Sequence, residues 1–66
     1  MKQVNEVARY LAGKTSQVQD HGSFGMLNGS VVQKPRSGTA IYNGDYIEVH
    51  GGMVLKNGHY VGKVED

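Results

Sequence analysis

"AIYNGDYIEVHGGMVLKNGHYVG" runs from Ala40 to Gly62. Apolar and polar residues alternate through it, and the alternation is broken twice by Asn-Gly and once by Gly-Gly. A period of two with such breaks is the pattern of short strands joined by tight turns. Asn-Gly is the favoured pair for a type I′ hairpin turn, because both central residues need φ > 0 and the turn's twist matches that of the strands. Asn43-Gly44 and Asn57-Gly58 therefore predict two hairpins, and Asn28-Gly29 upstream predicts a third. The spacings between them are 15 and 14 residues, but the flanking residues do not repeat, so this is not an internal duplication.

Each turn implies cross-strand partners. In the middle hairpin Tyr42 should face Asp45, Ile41 should face Tyr46 and Ala40 should face Ile47. Ala40, Tyr42, Ile47 and Val49 then share one face, with Thr39, Ile41, Tyr46, Glu48 and His50 on the other. In the first hairpin Leu27 pairs with Ser30 and Met26 with Val31. In the last, Lys56 pairs with His59, Leu55 with Tyr60 and Val54 with Val61. There Met53, Leu55, Tyr60 and Val64 form the more apolar set and are the expected core face; Val54, Lys56, His59, Val61 and Lys63 form the other.

Outward from the hairpins the pattern changes. Gln33–Gly38, "QKPRSG", contains Pro35, which has no ladder donor, and so reads as the loop between hairpins one and two. Gly51-Gly52 is a tight turn or a bulge. Upstream of about Gln17 the period lengthens: Val4, Val7, Ala8 and Leu11 fall at i, i+3, i+4 and i+7, the stripe of an amphipathic helix over residues 3–12. Gly13 follows where a left-handed C′ residue is usual. About ten residues are too few for a helix to persist alone in water, so the stripe must dock on something.

The fold class expected is α+β, mainly β: one short N-terminal helix, then an antiparallel β-meander over residues 17–64 of about six short strands. All 66 residues form one domain. Such a meander either curls into a small barrel or lies open with the helix across one face.

Composition narrows function. With no cysteine the chain has neither disulfides nor thiolate metal sites. Seven Lys+Arg against six Asp+Glu is a balanced charge, unlike that of a dedicated DNA-coating protein. The first 13 residues carry no long apolar run, and no segment approaches the ~20 apolar residues of a membrane span. A cytoplasmic protein without membrane contact is the expectation.

Few residues suggest chemistry. Gly22-Ser23-Phe24-Gly25 resembles the tip of the glycine-rich loop of protein kinases over four residues. The pattern wants a further glycine where this chain has Asp20, whose charge would repel a phosphate. His21, His50 and His59 lack metal-ligand spacing, so no metal site is expected. Asp45 and Glu48 fall on opposite faces of a strand and are not a dyad. No serine sits in a nucleophile elbow, and the chain is not expected to be an enzyme or to need a cofactor.

Binding is the better expectation. Lys34 and Arg36 flank Pro35 in a loop and could hold a carboxylate or phosphate, Arg36 in a bidentate way. Gly22, Ser23 and Phe24 are the other binding candidates. Ile41, Tyr46, Val54 and Val61 are apolar residues on expected outer faces, and mark a contact between copies. The reading is a small non-catalytic binding protein, a homo-oligomer that acts through its loops as an accessory or inhibitory factor on an unidentified protein or small ligand. One alternative is a small β-barrel that binds nucleic acid, using Tyr46, Tyr60 and Phe24 as stacking surfaces. A second is an anion or nucleotide binder at a subunit interface.

Overall fold

A computed structural model describes residues 2–65. Helix α1 spans Lys2–Leu11. Its stripe is the expected one: Val4, Val7 and Ala8 are buried and Leu11 packs at the margin of the core. The helix rests on the middle of the sheet. Its end is a Schellman motif: Gly13 at φ +76° donates its N–H to the Tyr10 carbonyl at 3.2 Å, and Lys14 N–H donates to the Arg9 carbonyl at 2.8 Å. These bonds satisfy carbonyls that the helix itself leaves open.

Seven strands follow: β1 (Gln19–Asp20), β2 (Phe24–Leu27), β3 (Ser30–Gln33), β4 (Thr39–Tyr42), β5 (Asp45–His50), β6 (Met53–Lys56) and β7 (His59–Lys63). They form one sheet in sequence order, each strand antiparallel to the next. The sheet stays open and does not close into a barrel. The strand beyond the expected six is β1, two residues that pair Gln19 with Met26 and Asp20 with Gly25. It returns into β2 through His21, Gly22 and Ser23, with Gly22 at φ +93°. No Asn-Gly pair marks that bend, so turn chemistry does not announce it.

All three Asn-Gly pairs are two-residue turns with positive φ at both positions: 52° and 79° at Asn28-Gly29, 50° and 80° at Asn43-Gly44, 53° and 84° at Asn57-Gly58. Gly51-Gly52, at 56° and 85°, makes a fourth turn of the same kind and is not a bulge. The registers of the first two hairpins are those expected.

The last hairpin corrects the expected face. Val54 is 1% exposed and belongs to the core, whereas Met53 is 48% and Tyr60 59% exposed. The cause is the Gly51-Gly52 turn. It sets His50 opposite Met53 and Val49 opposite Val54, and cross-strand partners share a face. Because Val49 lies on the helix side, Val54 must as well. Val54 and Val61 therefore do not lie on the outer face where a contact between copies was expected. Val61 is displaced by a second irregularity: Leu55 pairs with Tyr60 but Val54 pairs with Gly62, so Val61 is the extra residue of a bulge. It packs half-buried against the core, and so does Val64, as expected. Leu27, Val32, Ala40, Tyr42 and Ile47 complete the core from the sheet side, with Val18 from the segment after the helix.

Candidate functional site

The first candidate surface lies where Tyr10, in the last turn of α1, meets Gly25 of β2. A Cβ at Gly25 would sit 2.6 Å from Val18 Cγ1 and 3.2 Å from the Tyr10 ring and hydroxyl. The bare glycine lets Tyr10 lie across the strand. From there the Tyr10 hydroxyl donates to Asp20 Oδ1 at 2.7 Å, and Gly22 N–H donates to the same oxygen at 3.1 Å. Lys34 Nζ stands 4.8 Å from the centre of the Tyr10 ring. The Tyr10 hydrogen bond, then that from Gly22, hold the Asp20 carboxyl below its ordinary range, with the Lys34 charge adding to them. Burial, then the bond to Asp20, raise the Tyr10 phenol.

This geometry brings Lys34 and Gly22 together, as two of the expected binding residues, but around a carboxylate of the chain's own. The Gly22 N–H, which a phosphate would need, already donates to Asp20. Phe24 packs instead on His21, ring centres 5.3 Å apart and nearly parallel, with His21 N–H bonded to the Phe24 carbonyl. Ser23 is exposed. The Arg36 backbone bonds the buried Thr39 hydroxyl, which accepts the Arg36 N–H at 3.2 Å and donates to the Arg36 carbonyl at 2.8 Å.

The second surface is the sheet face away from the helix. Cross-strand pairing puts Phe24 and Met26 of β2 on it, then Val31 of β3, Ile41 of β4 and Tyr46 of β5. Met53 and Leu55 of β6 and Tyr60 of β7 continue it. Phe24, Val31, Met53 and Tyr60 are exposed large apolar side chains. Among them stand Gln33, Glu48, His50 and Lys63; His50 Nε2 and Glu48 Oε2 are 3.2 Å apart. Ile41 and Tyr46 of the expected contact are here, and the other six replace Val54 and Val61.

The third surface is a cleft of about 500 Å³ between the first turns of α1 and the turns after β2 and β4. Val4, Leu27 and Tyr42 form its apolar base. The Tyr42 hydroxyl donates to the Leu27 carbonyl at 3.1 Å. Polar groups ring it: Gln3, Gln17, Asn28 and Asn43, the carboxylates of Glu6 and Asp45, and Lys56. Glu6 Oε1 accepts the Gln17 N–H at 2.7 Å, and Lys56 Nζ is 3.8 Å from Asp45 Oδ2. A smaller cleft of about 390 Å³ adjoins it and shares Gln17, Leu27 and Asn28.

Sequence reasoning did not find Tyr10 and Asp20. The available signal was Gly25 inside a strand pattern, which marks a close approach of another group. The cleft had no sequence signal, since its lining comes from separate elements. Among the described residues no three His, Asp or Glu side chains are grouped to hold a metal ion, and no helix is long and apolar enough to cross a membrane. No family model matches the chain, and comparison with curated proteins and with solved structures finds no match.

Proposed function

We propose that this chain is a non-catalytic binding protein that pairs with a second copy through the uncovered face of its sheet. The observation that carries the reading is the apolar character of that face, with eight large apolar side chains from β2 to β7 and no helix over them. A solvated face of an antiparallel sheet is ordinarily polar, and a contiguous apolar patch marks an interaction site. The sheet's edges are poorer places to add a partner. β1 has two residues, and β7 carries a bulge and Lys63, devices that discourage edge pairing. A stable pair hides about 800 Å² per partner, which one face of a molecule with 4078 Å² of surface must supply. The assembled pair would leave the helices and loops outward, free to engage a further protein in an accessory or inhibitory role.

Sedimentation at micromolar concentration tests the reading. A dimer or larger species is expected from the native chain. Tyr60→Glu and Val31→Lys, both at exposed positions of that face, should each give a folded monomer, since exposed substitutions alter stability by only about 0.5 kcal/mol. A native chain that sediments as a monomer would sink the proposal.

A second reading has its own observation: three aromatic rings, Phe24, Tyr46 and Tyr60, share the open face, as on platforms that stack single-stranded bases. Retention on single-stranded nucleic acid that weakens steeply with salt would favour it.

A further inference from the structure

The cleft beside α1 lies on the helix side of the sheet, away from the face proposed to pair, and its chemistry is different. Its most accessible groups are four side-chain amides. Those of Gln3, Gln17, Asn28 and Asn43 make no hydrogen bond with the described residues. Each offers an NH₂ donor and a carbonyl acceptor side by side. Asn28 and Asn43 are also the first residues of two hairpin turns, at φ 52° and 50°. Turns of fixed shape therefore hold two of the four amides at the cleft rim.

From these groups the geometry points to a binding site for a neutral nucleoside, the base being the recognised part. Three features select that class. A side-chain amide matches the adjacent donor and acceptor on a nucleobase edge. The base of the cleft, formed by Val4, Leu27 and Tyr42, is apolar and suits the face of a planar ring. The charges disfavour anions: Glu6 and Asp45 both line the cleft, and Lys56, the one cation among the lining residues, stands 3.8 Å from Asp45. A 5′-phosphate would meet two carboxylates and one already paired ammonium. The volume of about 500 Å³ lies in the range of small-molecule sites and admits a nucleoside.

Titration of the full chain with adenosine, followed by the backbone amide resonances in a nitrogen–proton spectrum, tests the site. Adenosine should shift the amides of Gln17, Asn28 and Asn43 and leave those of Met53 and Tyr60 on the opposite face unmoved. Adenosine 5′-monophosphate should bind at least about tenfold more weakly at low salt, because like charges repel across the cleft. Gln17→Ala and Asn43→Asp should weaken the adenosine response with the fold intact, as the spectrum itself reports. No shift at the cleft with adenosine, guanosine or cytidine near their solubility limits would overturn the assignment. Tighter binding of the monophosphate, or binding of maltose in place of the nucleosides, would overturn it too. None of these outcomes depends on whether the chain pairs through its sheet, which sedimentation reads separately.

Discussion

Asn57 Oδ1 accepts the Tyr46 N–H at 2.9 Å while Asn57 Nδ2 donates to Asp45 Oδ1 at 3.1 Å. One turn side chain thus extends the ladder between β5 and β6 by a residue, and the Asn57 N–H, bonded to the Tyr46 carbonyl at 2.7 Å, completes it. The other two turn asparagines have no such role. All three positions accept glycine without backbone strain, since glycine tolerates positive φ. Asn57→Gly should therefore lose about 1–2 kcal/mol through its two side-chain bonds. Asn28→Gly and Asn43→Gly should lose only a few tenths. Equilibrium denaturation of the three variants compares them, and equal midpoints would show that the Asn57 side chain contributes nothing.

Gly25 and Tyr10 make a second pair whose consequence can be measured. A methyl group at Gly25 meets Val18 Cγ1 at 2.6 Å and the Tyr10 ring at 3.2 Å. Neighbours that close must move, and overpacking of this kind costs about 1–3 kcal/mol. Gly25→Ala should be destabilised by that amount. Val18→Ala in the same chain should restore part of the loss, so the double variant should be more stable than the sum of the singles. Additive losses would mean that the methyl group finds room elsewhere.

The Tyr10–Asp20 hydrogen bond links stability to pH at both extremes. It needs Asp20 ionised and Tyr10 protonated. Asp20 is depressed below its ordinary 3.8 in the folded chain, so its contribution is full above that value. As pH falls further the unfolded chain takes up the proton first, and the contribution is lost through the depressed folded value. Tyr10 is raised above its ordinary 10.0, so its contribution is full below that value and is lost as pH climbs through the raised one. Both effects are modest, because the pair is exposed. Tyr10→Phe should bring the Asp20 carboxyl back toward 3.8 in a carbon-detected titration. An unchanged Asp20 midpoint would assign its depression to Gly22 and Lys34 instead.

The elements readable from sequence were those set by local chemistry. The helix stripe, Gly13 at its end and the three Asn-Gly turns all specify backbone shape within a few residues, and each is where the pattern placed it. What could not be read depended on partners distant in sequence. The hydrophobicity of the last hairpin by itself puts Met53, Leu55 and Tyr60 inside, because they outweigh Val54 and Val61. The deciding constraint is instead register carried through Gly51-Gly52 from β5. Lys34 was legible as a loop cation, but its neighbour Tyr10 lies 24 residues upstream on the flank of the helix stripe. Nothing in the spacing announces that contact.

Substitutions on either side of β6 test that face assignment. Val54 is fully enclosed between Val49 of β5 and the bulge at Val61, at 1% exposure, while its neighbour Met53 is 48% exposed. Val54→Ala removes two buried methyl groups and leaves a void, which should cost roughly 1–3 kcal/mol. Met53→Ala removes more atoms but from a solvated position, and should shift stability by no more than about 0.5 kcal/mol. The order matters more than either magnitude, because hydrophobicity alone ranks methionine and leucine as the core side of this strand. Urea denaturation of both variants at a concentration where the native chain is monomeric keeps self-association out of the comparison, since pairing would add stability that Met53→Ala could remove. A larger loss at Met53 than at Val54 under those conditions would reverse the strand, place Leu55 and Tyr60 inside, and take away the apolar outer face on which the proposed pairing rests.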